Sequence, residues 1–276
     1  KPKALPYSWE NIAGALQWVD GRLTIHSLHG WHGDTYLHID GTSNGAAAYI
    51  DTEVGPDLSW QLHADSLQIV KLRASEDLRR ALPVGVQNVV ETLNISGPMD
   101  LQLGIDLKGW KRGDLVTAEW SSLLALPGNR LTAGLELRDV VGRVQVLKGS
   151  WNGRSAIVDG YIELDTARVL DLPLTNIRGP FKVTGNEVLV GSPGEGDASP
   201  FLEGNRYRDR KVTAEVFSGR VGLQSVVLMA PNRLEELQYR VDLKLEDAEL
   251  AELARYKGIQ QERLSGKLNG ETTLTG

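Results

Sequence analysis

Residues 239–276, YRVDLKLEDAELAELARYKGIQQERLSGKLNGETTLTG, decide how the chain is to be read. Val241, Leu243 and Leu245 alternate with Asp242, Lys244 and Glu246, a period of two that puts apolar side chains on one face of a pleated strand and charges on the other. One face of that strand is built for water. Asp247 then stands where a helix N-cap belongs. Leu250, Leu253 and Ala254 recur at helical spacing, Arg255 and Lys257 lie near the negative end of the dipole, and Gly258 can supply a left-handed stop. Alternation resumes at Leu264 and runs through Gly266, Leu268 and Gly270 to Gly276, where the pattern breaks off without a closing turn. The stretch reads strand, short helix, strand, and the chain reads as a fragment of a longer repeating protein.

The same devices extend through the rest of the sequence. Leu101, Leu103, Ile105 and Leu107 alternate, as do Leu58, Trp60, Leu62 and Ala64, the pair Leu67 and Ile69, and the pairs Leu131 with Ala133 and Leu135 with Leu137. Further strands are expected at Leu16 and Trp18, Leu23 and Ile25, Tyr36 or Leu37 with Ile39, Val144 and Val146, Ile162 and Leu164, Phe181 and Val183, and from Val212 to Leu228. Turns are expected at Asp20-Gly21, Gly30, Gly33 and Asp40-Gly41. Ser75-Glu76-Asp77 offers a second helix start, with helix expected over 76–93, interrupted at Pro83 and Gly85. The expected fold is therefore all-β dominated: a long curved antiparallel sheet of repeated units with two short helices.

Internal similarity supports a repeated array. Ile95-Ser96-Gly97-Pro98-Met99-Asp100-Leu101 parallels Leu264-Ser265-Gly266-Lys267-Leu268. Leu28-His29-Gly30-Trp31-His32-Gly33, followed by Asp40-Gly41, parallels Leu147-Lys148-Gly149-Ser150-Trp151-Asn152-Gly153, followed by Asp159-Gly160, and a weaker copy runs from Val190-Gly191 to Glu203-Gly204. Units of about 1–110, 111–172 and 173–276 are expected from this spacing.

Bulk composition narrows the function classes. The 276 residues are 41% hydrophobic, enough for a core, and the formal charge of -6 does not suit a nucleic-acid surface. No run approaches the roughly 20 apolar residues of a membrane-spanning helix. The chain has no cysteine, which removes disulfides and thiolate metal sites together.

The motif Leu245-Glu246-Asp247-Ala248-Glu249-Leu250-Ala251-Glu252-Leu253, then Leu264-Ser265-Gly266-Lys267-Leu268-Asn269-Gly270 and Leu274-Thr275-Gly276, resembles the C-terminal region of AsmA-like and TamB-type bacterial envelope proteins. That family's signature is a rhythm of Leu and Gly rather than a catalytic motif. The resemblance implies a sheet curled into a taco-like groove whose apolar inside carries phospholipid acyl chains. It further implies a periplasmic location, with a membrane anchor in a segment outside this stretch, and a role in moving lipid or supporting outer-membrane biogenesis. The candidate groove lining is Leu58, Trp60, Leu62, Leu101, Leu103, Ile105, Leu107, Leu131, Leu135, Val241, Leu243 and Leu245, with Asp106, Asp242 and Lys244 facing solvent.

Other candidate chemistry carries less weight. His26, His29, His32 and His38 with Asp34 fall close together, but nothing in a meander fixes a ligand geometry, so turn and surface histidines are expected and no metal. Glu235-Glu236 and the acids from Glu246 to Glu252 read as solvated faces, and Gly191-Ser192-Pro193-Gly194-Glu195-Gly196 lacks the Lys and the strand-to-helix context of a phosphate loop. No catalytic residue and no cofactor are expected. Of the seven tryptophans, Trp18 and Trp60 are expected in the core, and Trp31 and Trp151 at equivalent repeat turns, structural or beside lipid headgroups. Two rival readings stand beside the lipid groove: a structural β-array with a dry core, and a carbohydrate-active β-solenoid, disfavoured because no carboxylate pair recurs on successive coils.

Overall fold

The computed structural model describes residues 7–40, 48–52, 58–82, 87, 90–91, 93–110, 116–133, 135–185, 187–191, 211–228, 238–259 and 264–276. They form one antiparallel sheet of fifteen strands. The main path runs through β1 (Glu10–Val19), β2 (Arg22–His32), β3 (Thr35–Asp40), β5 (Leu58–Leu72), β6 (Met99–Trp110), β7 (Val116–Ala133), β8 (Leu135–Trp151), β9 (Ala156–Val169), β10 (Leu172–Thr184), β11 (Glu187–Val190), β13 (Gly219–Leu228), β14 (Gln238–Glu249) and β15 (Lys267–Thr275). Two short strands fill gaps beside it: β4 (Ala48–Asp51) between β2 and β5, and β12 (Val212–Val216) between β10 and β13. The sheet runs without interruption across residues 110 and 172, the expected unit boundaries.

Antiparallel pairing with a side-chain period of two sorts the residues onto two faces, and the register carries that sorting from strand to strand. Leu67 lies opposite Leu103, Leu103 opposite Ser122, Ser122 opposite Val146, Val146 opposite Gly160, and Gly160 opposite Phe181. The neighbouring row reads Ile69, Leu101, Leu124, Val144 and Ile162. The opposite face carries ion pairs, among them Arg22–Asp51 at 2.6 Å, Arg143–Glu163 at 2.5 Å, Lys244–Glu246 at 2.9 Å and Lys267–Glu249 at 2.9 Å. Exposed pairs of this kind add little stability by themselves, so their main effect is to make a one-residue register slip unfavourable.

The Asp20-Gly21 turn forms as expected, with both residues in the left-handed region, φ 47° and 78°. Gly30 is not a turn; it lies inside β2, where the Ile12 side chain of β1 packs close above it. Gly41 and the third repeat copy from 192 onward fall outside the described residues.

Both helices sit at one end of the strands, where β5 finishes and β6 starts. α1 (Glu76–Ala81) begins as expected at Ser75, whose Oγ accepts a hydrogen bond from the Leu78 N–H at 3.3 Å. Gln87, Val90, Glu91 and Leu93 are also helical, while Pro83 and Gly85 lie outside the described residues. α2 (Leu250–Tyr256) starts later than expected, with Glu249 in the cap position. Asp247 is not its cap: it has φ 56°, at a bulge between Leu245 and Ala248, and its N–H donates to Asn269 Oδ1 at 2.8 Å. The strand therefore continues to Glu249. At the helix C-terminus Gly258 does take the left-handed position, φ 72°, and the Ile259 and Gly258 N–H groups close on the Ala254 and Arg255 carbonyls at 2.9 and 3.0 Å.

The same end of the sheet holds the drier core. Leu72, Met99, Leu126, Val140, Leu164, Ala167, Ile177, Val212 and Ala214 are buried there, with Leu78 of α1 packed against them and Val140 wholly inaccessible. Asn129, 1% exposed, ties the 96–98 segment to β7 by donating to the Ser96 and Pro98 carbonyls at 3.2 and 3.0 Å. Left-handed residues Asn11, Lys71, Asp139, Asn176 and Asp247 each mark a bulge toward this end in β1, β5, β8, β10 and β14. Bulges bend and twist a strand locally, so a line of them across one end bends the sheet there.

Candidate functional site: an apolar face with one open side

The candidate lining residues whose side chains are described fall on one face. Leu62 pairs with Leu107, Ala64 with Ile105, Leu67 with Leu103 and Ile69 with Leu101. Leu131 pairs with Leu137, and Ala133 with Leu135. Across the sheet Val241, Leu243 and Leu245 pair with Ser225, Leu223 and Val221. Leu58 lies in β5 and Leu135 in β8; their side chains are outside what is described. Asp106, Asp242 and Lys244 point to the other face, where Asp106 meets His63, Asp242 meets Arg240 and Thr273, and Lys244 bridges to Glu246 and Glu271.

Burial divides this face. Val241 is buried, yet Leu62, Leu101, Leu103, Ile105, Leu107, Leu131, Leu243 and Leu245 all keep part of their surface in contact with solvent. Leu101 and Leu131 touch the main core, and Ile105 touches a smaller one formed by Ile25, Ile39, Ala48 and Ala64. The described strands all belong to one sheet. A face of this composition left half-wet retains a free energy of roughly 25 cal/mol for each Å² that a ligand could still cover.

Aromatic rings shape the wetter side. Trp60 lies opposite Gly109, Trp120 opposite Gly149 and Phe181 opposite Gly160, and Tyr239 exchanges both backbone hydrogen bonds with Gly276. A β-carbon on any of these four glycines would stand 2.1–2.4 Å from the facing ring. Each ring thus occupies the volume left by a missing side chain and lies down on the sheet. Sequence reasoning misses these pairs. Their signal is a glycine at an apolar-parity position, legible only once the strand partner is known. The expected lining also omits Val144, Ile162 and Phe181, whose alternation carries the same signal as that of Leu101.

Two tryptophan expectations are corrected. Trp18 is no core residue: β1 is the edge of the sheet and the indole is 59% exposed. Trp31 and Trp151 do not occupy equivalent places. Trp31 pairs with Tyr36 on the polar face, while Trp151 pairs with Ala118 on the apolar face, because Ser150 adds one residue between the glycine and the tryptophan. Trp60 is half-buried over Gly109, in line with a packing role.

The histidines do not converge. His29 and His38 pair across β2 and β3 on the polar face, where His38 meets Asp40 at 2.8 Å. His32 points to the apolar face, its ring 4.1 Å from that of Tyr7. His26 meets Gln17 at 3.2 Å. Among the described residues no three His, Cys, Asp or Glu side chains are placed to hold a metal. The most organised titratable group is His63, with Nδ1 2.7 Å from Asp106 and Nε2 2.9 Å from Asp65. The hydrogen bond to Asp106 is the chief cause of its raised pKa, opposed by burial and helped by Asp65. Glu235 and Glu236 lie outside the described residues.

An open cavity of about 870 Å³ lies between the β12–β13 turn, β14 and the start of α2, lined by Glu215, Ser218, Arg220, Glu246 and Glu252 among others. Its three glutamates are already engaged: Glu215 with Asn176, Glu252 with Ser218 and Glu246 with Lys244. Among the described residues no helix is long and apolar enough to cross a membrane. Comparison of the chain with protein-family models, with curated proteins and with solved structures finds no match in any of the three.

Proposed function

We propose that the chain is a non-enzymatic segment of a bacterial envelope protein that shields the acyl chains of phospholipids along its apolar face. The observation that carries this reading is the row Ile69, Leu101, Leu124, Val144 and Ile162, continuous across five strands, apolar, and still partly open to solvent. Shielding a hydrocarbon chain is worth roughly 0.8 kcal/mol per methylene, so a face that hides ten methylenes lowers the cost of carrying lipid through water by about 8 kcal/mol. That contribution needs no bond-making step, no cofactor and no energy source in this segment. The resemblance of 245–276 to AsmA-like proteins points the same way and supplies the periplasmic setting, with the anchor in another segment.

The test is native mass spectrometry of the purified chain, with extraction and identification of what it carries. Co-purified phospholipid at a defined stoichiometry supports the reading; a chain free of lipid after gentle purification, and unable to take up fluorescent phospholipid from vesicles, sinks it.

A second reading, a structural β-array with a dry core, draws on the wholly buried Val140 and the cluster around it. It accounts for the helix-covered end of the sheet but leaves the half-wet leucines of β6 without a purpose.

A further inference from the structure

We infer that the polar face of the sheet carries a second binding surface, a row of uncharged, mostly planar side chains on which an extended neutral glycan chain lies across the strands. This surface is on the opposite side of the sheet from the apolar face, so it stands or falls independently of lipid.

The register builds the row. His29 pairs with His38, His38 with Gln68, Gln68 with Gln102, Gln102 with Leu123, and Leu123 with Gln145. Six neighbouring strands thus contribute one residue each, and at about 4.8 Å between strands the row is roughly 24 Å long. No Asp, Glu, Lys or Arg stands in it, although this is the face that holds the ion pairs of the sheet. The charges begin one row away, with Asp40 against His38 and Arg143 against Glu163. Gln68, Gln102 and Gln145 are exposed. The Gln102 Nε2 donates to Ser66 Oγ at 3.4 Å, and the Gln68 and Gln145 amides make no hydrogen bond to another described side chain.

One end of the row broadens into aromatic rings. Trp31 and Tyr36 form the next pair beside His29 and His38, with ring centroids 4.9 Å apart. Tyr36 stacks on His38 at 5.9 Å and 20°, and His29 meets Trp31 edge-on at 5.8 Å. Trp31 is 38% exposed, as is Val70 on the strand beyond Tyr36. These rings add apolar surface to the face that otherwise carries charge.

The side chains select the ligand. A polyanion calls for free cations and a polycation for carboxylates, and the row offers neither. A carboxamide presents donors and an acceptor on one planar group, and a neutral imidazole presents one of each, which is the complement of neighbouring sugar hydroxyls. Indole and phenol rings cover the C–H face of a pyranose and leave their polar tips in water. A ligand that meets one such group on each successive strand is long and straight. Among neutral glycans that describes the flat ribbon made by equatorial linkages, whereas an axially linked chain coils away from a flat row.

The test is calorimetric titration of the purified chain with cellohexaose and with chitohexaose. At least one is expected to bind with a Kd below about 1 mM, and maltohexaose, which coils, about tenfold more weakly or not at all. Trp31→Ala should weaken binding about tenfold and Gln102→Glu about threefold or more, both with an unchanged far-ultraviolet spectrum. Trp18→Ala removes a more exposed indole away from the row and should leave binding as it was. No binding of either ribbon-like sugar at about 1 mM overturns the inference. So does equal binding of maltohexaose, an unaltered Trp31→Ala, or an equal loss in Trp18→Ala. Binding to phosphatidylcholine vesicles that is lost in Trp31→Ala, in a chain that ignores all three sugars, makes the rings a headgroup contact and overturns it as well.

Discussion

Trp120 lies across Gly149 of the neighbouring strand so closely that a β-carbon there would stand 2.1 Å from the indole. The ring cannot be where it is unless the glycine is a glycine. Gly149→Ala should therefore destabilise by about 1–3 kcal/mol through overpacking, a fall in Tm of roughly 2–9 °C at this size. In a Trp120→Ala background the same change should cost little, and the cycle of four proteins measures the coupling. Additive effects in that cycle would show that the contact is not what the glycine is for.

The clamp around His63 gives the fold a pH dependence. Its folded pKa is raised, chiefly by the bond to Asp106, above the ordinary value of 6.5. A group of that kind contributes stability that is fully present below the unfolded pKa and is lost as pH rises through the folded pKa. Thermal unfolding followed from pH 5 to 9 should show Tm falling through the region above about 6.5. His63→Gln should flatten that slope and lower Tm mainly on the acid side. A parent and variant with parallel profiles would refute the assignment.

The apolar face makes stability and ligand binding separable. Leu103→Glu and Leu243→Glu place a charge where water already reaches, so both should leave a folded protein that has lost lipid. Val140→Glu places one where no water reaches and should unfold the chain, since an unpaired buried charge costs more than most domains can spare. If all three variants unfold alike and the parent carries no lipid, the face is a dry core and the structural-array reading takes its place.

Gly258 ends α2 in a left-handed conformation at φ 72°. An alanine there should cost about 1 kcal/mol. Because α2 is held to the sheet by the Tyr256 hydroxyl, which donates to the Asp171 carbonyl, and by the Tyr256–Phe217 ring contact at 5.5 Å, the loss should appear as faster hydrogen exchange in α2. The global Tm should move less. A uniform increase across the sheet would mean that the helix and the sheet open together.

The alternation of Val241 to Leu245 and of Leu101 to Leu107 makes the strands and their faces legible in the sequence, because a period of two is imposed by the pleat itself. The Asp20-Gly21 turn is legible for a similar reason: its two left-handed positions favour a short polar residue followed by glycine, which has no β-carbon to clash. Asp247 misleads because helix caps and left-handed bulges recruit the same short polar residues, and only the partner strand, through Asn269, distinguishes them. Trp18 misleads because alternation says which face a side chain takes and nothing about whether its strand lies inside the sheet or at its rim. The ring-on-glycine pairs stay hidden because their members, such as Trp120 and Gly149, are far apart along the chain and become neighbours only through pairing order.

Ser150 shows how such a sheet can diversify without changing shape. One residue inserted before the tip of a hairpin leaves the hairpin standing and transfers an indole from the polar face to the apolar one. Faces are exchanged in whole steps; there is no intermediate position for a side chain to occupy. A duplicated hairpin can therefore gain or lose a ring on its inner wall in a single insertion event, with the backbone bonds of the ladder remade one place along.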